Sequence, residues 1–269
     1  MTAILTRPDT ARQRYDEQGV IQMRGLISPE EIAEIRDVFT AQVEADTSFG
    51  HDDHLAEDDI LRRYPRFVHP HRRSGTEVGR IARRLMLDRR IFDVIEDLVG
   101  PAFAAQSMFY FKPPTARGQA LHQDNMFLQA HPETCIAAWI AVDDNDADNG
   151  ALMVVPGSHR VQLLCLEPAD EQESFTTAKV PVPEGVELHQ TEMKAGDVLF
   201  FHGSMVHGSK PNTTADRFRR SLIFHYVPQA SQEVAKFYHP MLTRAGDEVT
   251  FGVSAEGGAC GEGWVFGPH

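Results

Sequence analysis

This chain of 269 residues is short of cysteine, tryptophan and basic charge, and it has no long apolar run. Its cysteines, Cys135, Cys165 and Cys260, form an odd, widely spaced set without a CxxC pair. That spacing argues against a disulfide framework and against a structural zinc site. No apolar run approaches the roughly 20 residues a membrane span needs. The start, MTAILTRPDTARQRYDEQG, lacks the apolar centre of a secretory leader, so a cytoplasmic location with no membrane partner is the expectation. Lysine and arginine number 26 against 39 aspartates and glutamates, a formal charge of −13 that disfavours nucleic acid as a partner. GxSxG, GxxxxGK[ST] and HExxH are all missing, which leaves hydrolase, P-loop and zinc-protease readings without support.

What is present suits a globular chain, 42% apolar and 24% charged. The expected organisation is one domain: a mainly helical region at 1–100, a β core at 101–230 and a Gly-rich C-terminal loop or lid at 231–269. SPEEIAEIRDVFTAQVEAD (28–46) opens with Ser28 as N-cap, Pro29 at the first helical position and Glu31 three residues on, a capping-box start. Ile32, Ile35, Val38, Phe39 and Val43 then recur at helical spacing. GTEVGRIARRLML and DRRIFDVIEDLVG predict two more helices, the second closed by Gly100 and Pro101. From Phe103 onward the segments are short, aromatic or β-branched, and separated by Pro, Gly, Asn and Asp. Such spacing predicts an antiparallel sandwich or barrel.

Chemistry concentrates in that half. In LHQDN (121–125), His122 and Asp124 lie two apart, so on an extended strand they project from one face. They suit either two ligands of one metal or a hydrogen-bonded pair. KAGDVLFFHGSMVHGS adds His202 and His207 on another strand-like run. Two histidines and a carboxylate with open positions left over are the ligand set of non-haem Fe(II) oxygenases. FRRSLIF (218–224) sets an arginine and a serine two apart on an apolar strand. A buried arginine needs an anion, and a ligand carboxylate gripped by both guanidinium prongs is a natural partner.

HQD, the Trp139 strand, NGALMVVPGSHR, GDVLFFH…HGS and FRRS, in this order, resemble the phytanoyl-CoA dioxygenase family of Fe(II)/2-oxoglutarate oxygenases, related to the ectoine hydroxylases. The resemblance covers about residues 100–228. It implies a mainly β fold with α: a double-stranded β-helix (jelly-roll, cupin-like) core with N-terminal helices packed on it. It also implies Fe(II), 2-oxoglutarate and O2, and hydroxylation of a C–H bond in a small or medium organic metabolite. Carried across residue by residue, the metal set is His122, Asp124 and His207, with His207 chosen over His202 because Gly208 and Ser209 follow it. Arg219 grips the far carboxylate of 2-oxoglutarate with help from Ser209, Arg217 and Arg220 being the alternatives. Trp139 and Met108 line the cosubstrate pocket. Gln106, Lys112 and Asn125 are expected to touch substrate or to back the ligands, and the HPH of 69–71 falls near the cosubstrate. Asp124 fills the place that is a small residue in halogenating relatives, so halide incorporation is not expected. The alternatives are a metal cupin that works without 2-oxoglutarate and a binding protein with a vestigial metal site.

Other polar clusters have plainer readings. His131, His159, His189 and His225 are expected as loop or satisfied strand histidines, and HDDH (51–54) as a solvated loop. DDNDADNG (143–150) has Asn149 and Val155 where a calcium loop needs Gly and Glu, and reads as a hairpin loop. The arginine-rich stretch 61–90 either pairs with the acidic run at 52–59 or forms a lip that draws in an anionic substrate.

Overall fold

A computed structural model describes residues 10–254 apart from 47, 49, 53, 54 and 133. The capping box forms as expected: Ser28 accepts the Glu31 amide, Glu31 reaches back to the Ser28 N–H, and the helix runs over Pro29–Ala45. Ile32, Ile35, Phe39 and Val43 are its buried stripe. Thr76 and Asp88 cap two further helices, Glu77–Met86 and Arg89–Val99. The helices cover one face of a large sheet, because Ile35, Phe39, Leu85 and Phe92 share a core with Phe109, Ile140, Phe200, Leu222 and Phe224.

That sheet has eight strands in two branches, the longest run being Val20–Met23, Val198–His202, Ile136–Ala141, Ser221–Pro228, Ala102–Tyr110, Met241–Leu242 and Glu248–Val249. Its pairings are antiparallel. A smaller antiparallel sheet orders Gln119–His122, His207–Ser209, Leu152–Val154 and His189–Gln190. Alternate residues of a strand point to opposite faces. Met108, Tyr110, Trp139, Phe201 and Ile223 therefore turn away from the helices and pack with Leu152 and Val154 of the small sheet. Two facing antiparallel sheets with helices on the outside make a jelly roll of the double-stranded β-helix type.

The N-terminal hundred residues do more than pack on this core. Val20–Met23 and Phe67–Val68 join the large sheet, since four- and two-residue runs pair with an exposed edge without any strong periodicity of their own. Of the loop or lid expected at 231–269, residues 231–254 extend the same sheet through Met241–Leu242, and 255–269 lie outside the described residues. Cys135 is a free, buried thiol, but Cys165 is disulfide-bonded, against the expectation from spacing. Separation along the chain does not report distance across a fold. No helix among the described residues is long and apolar enough to cross a membrane.

Candidate metal and cosubstrate site

The strand that carries LHQDN ends at His122, two residues short of Asp124. Gln119–His122 is extended, but Asp124 is helical (φ −58, ψ −34) and opens the single turn Asn125–Leu128. Its carbonyl accepts the Phe127 and Leu128 amides. The shared face comes from this turn and from the neighbouring strand, not from strand alternation. His207 sits directly opposite His122 in the small sheet, and the two imidazole centroids lie 4.2 Å apart.

The three side chains converge on one point. Asp124 Oδ1 is 3.6 Å from His122 Nε2 and 3.3 Å from His207 Nε2, and one ligand atom from each residue lies within 4.8 Å of the others. All three residues are buried. Each histidine has its Nδ1 against a carbonyl two residues back, 2.8 Å to Ala120 O and 2.9 Å to Met205 O. A carbonyl only accepts, so Nδ1 carries the hydrogen and a neutral ring turns its Nε2 lone pair inward. Two such lone pairs facing a carboxylate oxygen call for a positive ion, and this donor set fits a divalent metal with open positions. Burial opposes a charge on His207, but the Asp124 carboxylate outweighs it and raises the histidine's pKa, so proton and metal compete for the same atom. The second carboxylate oxygen, Oδ2, lies 3.0 Å from His225 Nε2.

Beside the triad lie two buried cations. Arg219 donates to Gly150 O at 3.2 Å, Ser221 Oγ at 3.1 Å and Ser209 Oγ at 3.5 Å, with Trp139 under its guanidinium at 5.5 Å. Burial pulls its pKa down to about 10. Lys112 donates to Ser209 Oγ and Lys210 O, both at 2.7 Å, and to Gly150 O at 3.1 Å. Burial, then the charge of Arg219, pushes its pKa well below the usual lysine range. Gly150 can serve both because it takes φ +73, and a Cβ there would meet Lys210 O at 2.6 Å. Among the described residues neither side chain forms an ion pair, and two basic groups set side by side suit an anionic ligand.

Asp124, His207, Ser209, Arg219 and Trp139 share the wall of one small cavity. Met108 is wholly buried in the apolar cluster beneath it. Gln106 is wholly buried on the strand beside His225, and neither atom of its side-chain amide has a hydrogen-bond partner among the described residues. Asn125 goes elsewhere: its amide staples the turn by bonding Ala130 O at 3.1 Å and the Ala130 N–H at 3.0 Å. Arg217 and Arg220 pair with Asp146 at 2.7 Å and Asp143 at 2.8 Å, which removes both as alternatives to Arg219. His202 accepts the Ser204 amide and packs on His159, away from the triad. In the HPH segment, His71 bonds Ser107 Oγ at 2.6 Å and His69 packs on Phe237, neither lining the cavity.

One reading changes: Asp52 of HDDH is not solvated but buried against Arg66 at 2.7 Å, and Arg66 lies over Phe175 at 4.9 Å. His225 is a partnered strand histidine as expected, and its partner is Asp124. Gln119, whose amide lies 3.3 Å from His122 Nε2, and Tyr110, Phe201 and Ile223 also line the cavity. Counting by twos from Arg219 reaches Ile223 and His225, so the parity of that strand was an available signal.

Comparisons agree with this geometry. The sequence model of the family described as Phytanoyl-CoA dioxygenase (PhyH) matches residues 15–221. A phytanoyl-CoA dioxygenase 1 of Oryza sativa subsp. japonica is 33% identical over 132 residues, 49% of this chain and 47% of that protein. An ectoine dioxygenase of Nocardia farcinica is 29% identical over 231 residues, covering 78% of this chain and 74% of the relative. The match spans about half the length of the plant relatives, 47% and 46%. Among solved structures, the epimerase SnoN from nogalamycin biosynthesis, described in complex with Fe3+, alpha ketoglutarate and nogalamycin RO, superposes with a TM-score of 0.65 at 20% identity over 91% of this chain and 93% of its own. The carbocyclase SnoK gives 0.65 at 21% over 82% and 84%. These likenesses show the fold.

Proposed function

The chain belongs to the phytanoyl-CoA dioxygenase family, and on that premise we propose that it is an Fe(II)- and 2-oxoglutarate-dependent dioxygenase that hydroxylates a C–H bond of a small or medium organic metabolite. The observation that carries this reading is the convergence of His122, Asp124 and His207 at one point, with Asp124 and His207 sharing a cavity wall with the buried side chain of Arg219. Bound ferrous iron supplies the oxidation chemistry, in which O2 is consumed, 2-oxoglutarate leaves as succinate and CO2, and a C–H bond gains a hydroxyl.

The chain's own residues provide the rest. His122, Asp124 and His207 would hold the ion, and three protein donors would leave it positions for other ligands. Arg219 receives the far carboxylate of 2-oxoglutarate, Ser209 adds a hydroxyl, and Trp139 floors the guanidinium. Lys112 fixes Ser209 and adds positive charge beside the same carboxylate. Tyr110, Leu152, Phe201 and Ile223 wall the cavity and limit water. The presence of Asp124, where halogenating relatives have a small residue, supports hydroxylation over halide transfer.

An anionic substrate remains part of the proposal, with less of the 61–90 stretch behind it: Arg80, Arg84 and Arg90 pair with Glu34, Glu77, Glu31 and Asp88 on the helices, and Arg66 with Asp52.

The test is anaerobic titration with Fe(II) and then 2-oxoglutarate, followed by a succinate-release screen over a metabolite library. A weak visible charge-transfer band and substrate-stimulated succinate are expected. Metal binding with no response to 2-oxoglutarate would turn the assignment to a cupin of other chemistry. Epimerised, cyclised or chlorinated products, with no hydroxylated one, would overturn hydroxylation alone.

A further inference from the structure

We propose that His225 is a positioning residue that holds Asp124 to one-oxygen ligation and thereby keeps metal positions open for cosubstrate and O2. The inference rests on the oxygenase reading above and adds a residue that the ligand motif does not contain. His225 and Asp124 are both 0% exposed. His225 Nε2 lies 3.0 Å from Asp124 Oδ2, while the other oxygen, Oδ1, faces His122 and His207 at 3.6 and 3.3 Å. A carboxylate only accepts, so Nε2 carries the hydrogen in this contact. The two carboxylate oxygens thus have separate tasks, one toward the ion and one toward His225.

Position makes the contact rigid. His225 lies on the strand Ser221–Pro228, opposite Ala137 on one neighbour and Gln106 on the other, in the interior of the eight-stranded sheet. Asp124, by contrast, opens a one-turn helix, where the backbone alone does little to fix a carboxylate's rotation. Without the N–H at Oδ2, a carboxylate on an open-sided metal is free to turn and bind through both oxygens. With two histidines already bound, that change takes a position which 2-oxoglutarate, with two donor atoms, or O2 needs.

The experiment titrates Co(II) into the anaerobic, metal-free full chain and then adds 2-oxoglutarate, reading affinity and the visible d–d bands. Wild type, His225→Gln and His225→Leu are compared. The amide N–H of Gln replaces the donor, so His225→Gln should bind within threefold of wild type with the same band shape. His225→Leu, which keeps bulk but loses the donor, should bind about 10–100-fold more weakly. Its bands should also weaken in intensity, as a further oxygen enters the coordination sphere, and should respond less to 2-oxoglutarate. A thermal melt of the metal-free proteins separates this from a folding defect, and His225→Met replaces the Leu variant if that does not fold. Wild-type affinity and bands in the Leu or Met variant would overturn the proposal, as would a Gln variant no better than Leu. Wild type that binds Co(II) but ignores 2-oxoglutarate overturns the oxygenase reading and leaves the His225 comparison of affinity and band shape standing. Wild type that binds no Co(II) overturns both.

Discussion

The strand Ser221–Pro228 belongs to two environments at once. Leu222 and Phe224 face the helices and join Ile35, Phe39 and Phe92 in an apolar core. Ile223 and His225, with Arg219 just ahead of the strand, face the cavity. The helix side gains stability from buried apolar area, at about 25 cal/mol per Å². The cavity side holds Arg219, Lys112 and the triad, whose burial is unfavourable until a metal and an anion arrive. Stability and chemistry are thus divided by the parity of a strand, across the thickness of one sheet.

The sharpest way to break this comparison is at the triad. Asp124→Ala or His207→Ala should remove metal binding and lower turnover by about a thousandfold or more, while the metal-free protein melts no lower than wild type. A large loss of metal-free stability, read by thermal melting, would contradict the division. On the opposite face, Phe224→Ala should cost about 3–5 kcal/mol in urea unfolding and leave the Co(II) affinity of the folded protein unchanged.

Next comes Arg219→Ala, expected to cost about 2–5 kcal/mol of 2-oxoglutarate binding, seen as a raised KM with metal affinity retained. An unchanged KM would move the anchor to Lys112. A smaller effect should appear with pH. Burial, then nearby Arg72 and Arg83, lowers the pKa of His71 to about 3, and burial, then His159, lowers that of His202 to about 4. The unfolded chain binds these protons near the ordinary 6.5 while the folded chain does not. Stability is therefore highest above about pH 6.5 and falls as pH drops toward 3–4. His71→Gln should flatten part of that decline, measured as urea midpoints at pH 7 and pH 4.5. The smallest change is expected from Arg84→Ala, which loses a half-exposed pair with Glu34. It should cost about 1 kcal/mol or less and leave KM for 2-oxoglutarate alone.

Much of the site is spelled locally. His122, Asp124, His207, Ser209 and Arg219 stand in short strings whose residue types and order carry their chemistry; the structure brings the first three together and lines one cavity with Asp124, His207, Ser209 and Arg219. The helix at Pro29–Ala45 was equally legible, because a capping box and an apolar stripe are properties of consecutive residues. Asn125 follows Asp124 in the sequence, yet its amide is occupied five residues on, at Ala130. Asp52 misleads, sitting in a polar run but finding Arg66 across a fold-back.

The sequence by itself determined the apolar stripe of the helix at Pro29–Ala45 and the alternation along the longer strands, because strand and helix periods are set by the backbone. The ligand set came from the resemblance of its short strings to a family, since His122 and Asp124 alone suit either a metal or a hydrogen-bonded pair. Only the tertiary structure decided which faces meet. His225 against Asp124, Lys112 against Ser209, Arg220 drawn to Asp143 and Arg66 to Asp52 are contacts between segments far apart in the chain. No local period encodes them. They follow from the register in which antiparallel strands pair, and that register is a property of the whole sheet, set by the apolar packing of the face turned away from the site.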